Sequence, residues 1–351
     1  MPHTTINTEN RHKPRIEFID TAKGICILLV VLLHCDLFPK DSYIGLLRMP
    51  LYFTLSGLFF KDYGGILPTI IKKSNKLLVP FFFFYTLSYL TAVIAKAIMG
   101  EGVELPYTAF ITEKTFINYP VWFLWALFWS NVVFIAIRRI STSITFLGIC
   151  SLGLSSFSLL MFENDTMLPL YIDSALAGLP FFFFGYYLRN TDILIPNKYD
   201  RYIWFIIISL FILAATCYII GDKPYISIGA IKVSGNPIMY IAGAISIVLA
   251  TMLLCKKIVR MPFITFIGRY SLIILGLHVT IQYFSSVGLK IIGINSESEL
   301  HNIISFVVII ATCSILIKPI TKYFPKFTAQ KDFITWKSPE TPHNRLSSTT
   351  E

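Results

Sequence analysis

The sequence predicts an all-α polytopic membrane bundle of about ten transmembrane helices with both termini in the cytoplasm, and three observations carry this. Of its 351 residues, 55% are hydrophobic and only 14% charged, with a mean hydropathy of +0.66, more apolar and less charged than an ordinary soluble domain. Apolar runs recur at lengths able to cross a hydrocarbon core of about 30 Å as helices. Basic residues alternate between loops: 21 Lys and Arg lie with the termini and after even-numbered segments, against 5 on the opposite side. The positive-inside rule therefore places the termini in the cytoplasm.

The segments fall at 16–37, 42–61, 75–99, 119–137, 141–161, 168–188, 201–220, 237–255, 265–289 and 301–317. The polar stretch before segment 1 is too long, and the apolar run after it too extended, for a cleaved signal peptide, so the first segment reads as retained. The chain thus divides into a cytoplasmic segment 1–15, a transmembrane domain 16–317 and a cytoplasmic tail 318–351 that is short, charged, rich in Ser, Thr and Pro, and in part disordered. No internal repeat is visible. The longer outward loops, near 100–118, 221–236 and 290–300, carry Gly, Pro and acidic residues suited to lining an entrance.

The net charge of +10 is accounted for by topology and attraction to anionic lipid. No basic and aromatic module points to nucleic acid. The six cysteines show neither metal spacing nor a CxxC pair and read as small membrane hydrophobes, so no metal centre is expected. Asn164-Asp165-Thr166 fits a glycosylation acceptor pattern but is assigned no function.

Segment 1, RIEFIDTAKGICILLVVLLHCDLF, carries ionisable groups where they are costly, and such residues mark function by default. Lys23 and His34 are eleven residues apart, which at about 100° per residue returns nearly the same azimuth after a rise of roughly 16 Å. Asp20, Lys23 and His34 therefore share a face. The bland reading of His34 is a hydrogen bond to a neighbouring helix, and of Lys23 a pair with Asp20 at i,i+3. Arg48 in segment 2 either faces a cavity or snorkels outward. Trp122 and Trp125 either line a pocket or belong to an interfacial aromatic belt. Lys72, Lys73 and Lys76 are either cytoplasmic anchors or phosphate ligands. His278 is a second cavity group or a packing residue, and Asp173 a candidate ligand for an acceptor hydroxyl. The FFFF runs at 81–84 and 181–184 cover every helix face and read as bulk, and Ser56-Gly57, without a nucleophile elbow, reads as close helix packing.

Six motifs in register carry a resemblance: Lys23-x10-His34, RMPLYFTLSGLFF from Arg48, KLLVPFFFF from Lys76, PVWFLWALF from Pro120, LPFFFFGYYL from Leu179 and IGRYSLIILGLH from Ile267. Together they resemble the acyltransferase 3 family of membrane O-acyltransferases over nearly the whole chain, and most of all its compact fucose 4-O-acetylase-like or surface-polysaccharide members. Many O-antigen acetylases carry an acidic pair after the segment-4 Trp-Phe-Leu; here Trp125-Ala126 stands there, and no role of those acids is carried over.

The resemblance implies transfer of an acyl group, usually acetyl from acetyl-CoA, to a hydroxyl of a cell-envelope glycan or lipid-linked sugar in a bacterial inner membrane. It implies no tightly bound cofactor. A sugar hydroxyl is a poor nucleophile at neutral pH and needs a general base, for which histidine is the usual choice. His34 is the candidate base, Arg48 the group for the oxyanion or for orienting the base, and Lys23 a cation on the path of the thioester. Trp122 and Trp125, with His278 and Asp173, are candidates for holding the sugar, and Lys72, Lys73 and Lys76 for the phosphates of CoA. The rival reading is a transporter or flippase of a polysaccharide precursor, since buried charges serve ion coupling equally well. A third is a non-catalytic partner of a polysaccharide synthase.

Overall fold

A computed structural model describes residues 17–335 apart from 40, 101, 103, 114–115, 164–167, 192, 194–200, 230–231, 259–260 and 296–297. Residues 1–15, the triplet 164–166 and the part of the tail beyond 335 lie outside the described residues. The architecture is an all-α bundle. In chain order its helices are α1 (Glu17–His34), α2 (Gly45–Leu58), α3 (Ile66–Lys73), α4 (Val79–Ile98), α5 (Ala109–Thr112), α6 (Trp122–Ile140) and α7 (Ile144–Glu163). They continue with α8 (Ile172–Ala177), α9 (Leu179–Leu188), α10 (Ile203–Ile220), α11 (Pro237–Lys257), α12 (Pro262–Arg269), α13 (Ser271–Ile291) and α14 (Glu299–Tyr323). Between α10 and α11 two short strands, β1 (Tyr225–Ser227) and β2 (Lys232–Ser234), pair antiparallel as a hairpin.

Among the described residues, seven helical stretches are long and apolar enough to cross a membrane. Three further expected segments differ for local reasons. Helix α1 carries Glu17, Asp20 and Lys23 within 18 residues, α2 has 14 residues, and the sixth segment is broken between α8 and α9 beside Gly178. The third segment is longer than expected, because α3 and α4 join through a π-turn, Ser74–Leu78, into one stretch from Ile66 to Ile98. Pro80 follows directly; it has no N–H to return to the preceding turn, and the widened turn absorbs that mismatch. Local chemistry sets other ends. The Asn236 carboxamide oxygen accepts from the N–H of Ile238 and Met239 ahead of Pro237, and the Ser298 hydroxyl accepts from His301 at the start of α14.

Burial sorts the helices into layers. Of the stretch containing α6, 78% is buried, and of α11 61%, against 22% for α10 and 28% for α7 and α14. Thus α6 and α11 form the inner layer with α1 and α2, while α4, α7, α10, α13 and α14 turn Phe, Ile and Leu outward to lipid. Two crossings bring backbones together. A Cβ on Gly24 of α1 would stand 2.0 Å from the Ile264 carbonyl oxygen of α12, and one on Gly268 only 1.7 Å from that of Asp20. Gly57 of α2 and Gly185 of α9 would each meet a backbone oxygen of the other helix at 1.8 Å. In lipid, such close van der Waals contact is what joins helices.

The chain after α14 returns to the bundle. Asn75 in the π-turn accepts from the N–H of Phe333 and Ile334 at 2.7 Å each and donates to the Ile334 carbonyl at 2.8 Å. Asp332 pairs with Lys72 at 2.6 Å, and Phe327 stacks on Phe83. At the other end of the bundle, the loop before α6 is held by buried Asn118, in left-handed backbone with φ 59°. Its amide donates to Ser88 of α4 and to the Gly276 carbonyl of α13, both at 2.8 Å. This fixes where Tyr119 and Trp122 enter the bundle.

Candidate active site

Three helices, α1, α2 and α6, line two cavities, one toward each end of the bundle. The first, about 380 Å³, is bounded by His34, Arg48, Tyr119, Trp122, Tyr225 and Tyr240, with Asp36 at its rim. His34 is the last residue of α1, Arg48 stands one turn into α2, and Trp122 opens α6, so three chain segments converge at one depth. The loop of the β1–β2 hairpin closes the far wall. A Cβ on Gly229 would lie 2.4 Å from the Trp122 indole and 2.5 Å from the Tyr119 hydroxyl, so bare backbone presses on the indole. Arg48 is 5% exposed, and its carbonyl accepts from the Cys26 thiol at 3.0 Å.

The second cavity, about 350 Å³, is bounded by Lys23, Tyr52, Phe59, Lys76, Phe123 and Arg269, with Thr328, Ala329 and Gln330 of the returning tail along one side. Lys23 Nζ and Arg269 Nε each stand 3.9 Å from a carboxylate oxygen of the nearly buried Asp20. The Lys23 ammonium also lies over the Phe59 ring, 5.7 Å from its centroid. Lys76 lines the cavity and donates to the Ala329 carbonyl at 2.7 Å.

The cavities meet end to end. Met49 borders the first and Tyr52, one turn further along α2, the second; Trp122 borders the first and Phe123 the second. The Tyr52 and Phe123 rings, 5.5 Å apart, form the layer between them, and the Tyr52 hydroxyl donates to the Lys23 carbonyl at 3.3 Å.

The structure brings together His34, Arg48 and Trp122 in one cavity and places Lys23 and Lys76 in the other. Lys72 is engaged by Asp332, and Lys73 is half-buried beside it on α3. Trp125 sits apart from both cavities, in an aromatic cluster with Phe81, Phe82, Phe110 and Phe128. Asp173 is fully buried; its carboxylate accepts from the N–H of Ser174 at 2.7 Å and of Leu168 at 3.1 Å. His278 of α13 is fully buried with its ring 5.1 Å from that of His34. Residues that the sequence reading passed over include Tyr119, Tyr225, Tyr240 and Arg269. Arg269 lay within a quoted motif, but the hairpin that brings Tyr225 into the wall left no periodic signal.

Membrane-length helices around two adjoining chambers, one lined by His34 and Arg48 and the other by Lys23, Lys76 and Arg269, define a multi-pass membrane protein with its candidate site inside the bundle. The family model for an acyltransferase domain matches residues 16–318, and the chain belongs to the acyltransferase 3 family of membrane acyltransferases. No curated protein and no solved structure matches it.

Proposed function

We propose that the protein moves an acetyl group from acetyl-CoA to a hydroxyl of a cell-envelope glycan or lipid-linked sugar in a bacterial inner membrane, with His34 as general base. The observation that carries this reading is the sharing of α1, α2 and α6 between a chamber with His34 and a chamber with Lys23. The Lys23 chamber receives the donor: Lys23, Lys76 and Arg269 face the anionic end of CoA, and the thioester reaches past Tyr52 and Phe123. The His34 chamber receives the acceptor, with Trp122 and Tyr119 against the sugar ring.

His34 takes the proton of the acceptor hydroxyl as its oxygen attacks the thioester carbonyl. The oxyanion that forms lies in reach of the Arg48 cation, and collapse breaks the carbon–sulfur bond while the imidazolium gives its proton to the departing sulfur, so CoA leaves as the thiol and His34 is neutral again. Both termini lie in the cytoplasm in this reading, which opens the Lys23 chamber to cytoplasmic acetyl-CoA and the His34 chamber outward. The test is transfer of labelled acetyl-CoA by membranes carrying the protein, with label followed into envelope glycan. Label should enter glycan with the wild-type chain, and His34→Ala should lower the rate by about 100-fold or more. Normal transfer by His34→Ala removes the base assignment; absence of protein-dependent transfer from any acyl-CoA removes the donor.

A further inference from the structure

His278 and Gln282 stand four residues apart on one face of α13, and both address His34. The Gln282 amide donates to the His34 carbonyl, at a helix end where no backbone N–H of α1 is left to satisfy it. The His278 ring packs against the His34 ring, centroids 5.1 Å apart and planes inclined by 53°. One contact fixes the backbone of His34 and the other its side chain.

The tautomer of His278 follows from its neighbours. Its Nδ1 lies 3.0 Å from the Ile274 carbonyl oxygen and 2.9 Å from that of Leu275. A carbonyl only accepts, so Nδ1 carries the hydrogen, and in the neutral ring Nε2 is left as a lone pair. That Nε2 is buried and has no hydrogen-bond partner among the described residues. A buried acceptor without a donor is unfavourable and calls for an explanation. The ring beside it, His34, carries an N–H in every protonation state open to a histidine.

We infer that His278 and Gln282 are positioning residues for His34. A turn of the His34 ring within this contact lets His278 Nε2 accept the N–H of one His34 ring nitrogen, which leaves the lone pair of the other nitrogen for the acceptor hydroxyl, while Gln282 holds the end of α1 so that this lone pair points into the chamber. When His34 takes the proton and becomes an imidazolium, the same N–H becomes a charge-assisted donor to Nε2. His278 stays neutral throughout and exchanges no proton with substrate. This inference rests on the reading of His34 as base.

The experiment measures protein-dependent release of CoA from acetyl-CoA in membranes that contain the native acceptor, for the wild type and for His34→Ala, His278→Leu, His278→Gln and Gln282→Met, with thermal unfolding of each purified variant as a fold control. His278→Leu should lower kcat about 10- to 100-fold, the loss typical when a group that orients a functional histidine is removed, and leave KM for acetyl-CoA unchanged. His278→Gln, whose amide oxygen can accept in place of Nε2, should recover part of that loss, and Gln282→Met should lower kcat with KM held. Unchanged kcat in a folded His278→Leu while His34→Ala is inactive overturns the inference and leaves the base reading standing. Equal losses in folded His278→Leu and His278→Gln assign His278 to packing and also overturn it. Should His278→Leu fail to fold, Gln282→Met decides, and wild-type kcat there overturns the inference. An active His34→Ala removes the base reading and this inference together.

Discussion

At the scale of single residues, Trp122 and Trp125 separate two kinds of work. They lie three apart on α6, yet Trp122 borders the His34 chamber while Trp125 is enclosed by Phe81, Phe110 and Phe128. Trp122→Leu should raise KM for the acceptor about 10-fold, a loss near 1.4 kcal/mol, with thermal stability kept; Trp125→Ala should cost about 3 kcal/mol of stability, with acceptor KM unchanged in the folded fraction. Kinetics and thermal unfolding of the two variants check this. Lys23, His34, Arg48 and Trp122 were legible in the sequence because ionisable and amphipathic groups inside apolar runs stand out one by one. The parting of the two tryptophans was not legible, since it is set by packing from other elements, Phe81 and Phe82 of α4 and Phe110 of the short helix α5. Nor was the setting of Asp173, whose backbone partners depend on left-handed Leu170 and Tyr171 at φ 55° and 60°.

At the scale of elements, the crossings and the returning tail decide what can move. Helices α1 and α12 meet with no room for a side chain at Gly268, so Gly268→Val should cost about 1–3 kcal/mol and lower the yield of folded protein, read as the monodisperse fraction after extraction. The tail depends on charge. The Lys72 ammonium, donating to Asp332 at 2.6 Å, holds that carboxyl below its usual range, with Lys76 adding to the effect. A carboxyl with a depressed folded value contributes stability that is present above its unfolded value and is lost as pH falls through the folded one. A spin label at Lys331→Cys should therefore be immobile from pH 6 to 8 and mobile in acid, and Asp332→Asn should mobilise it already at pH 7. A label as immobile in the Asp332→Asn variant would show that Asn75 alone holds the tail. The spans with clean apolar runs were readable in advance. The π-turn, the hairpin and the docked tail were not: the turn is a local departure beside Pro80, the hairpin strands are only three residues each, and the tail docks where Asn75 meets Phe333 and Ile334, far away in sequence.

At the scale of the whole molecule, the layering of buried α6 and α11 within lipid-facing α7, α10 and α14 encloses two chambers that open toward opposite ends of the bundle. The proposed reaction then has a side for each substrate. In sealed vesicles, glycan should acquire label when acetyl-CoA is supplied on the face that carries the chain termini, located by protease access to terminal tags, and not when it is supplied on the other. Label from either face would mean that both chambers admit the donor. The charge asymmetry of the loops is what predicts this orientation, whereas the volumes of the chambers come only from packing. The Gly24 and Gly268 crossing has one more effect. With backbone against backbone there, α1 has no slack to slide against α12, so Lys23 and His34, set roughly 16 Å apart by the rise of α1 itself, keep their place relative to Arg269 and the rest of the bundle. In the proposed reaction, a donor held by its anionic end beside Lys23 and Arg269 brings its thioester toward the imidazole, and everything beyond the thioester shares a cavity of about 380 Å³ with the acceptor. The longer the acyl chain, the less room the sugar has, so a rigid crossing of two glycines ends as a limit on the size of the group transferred.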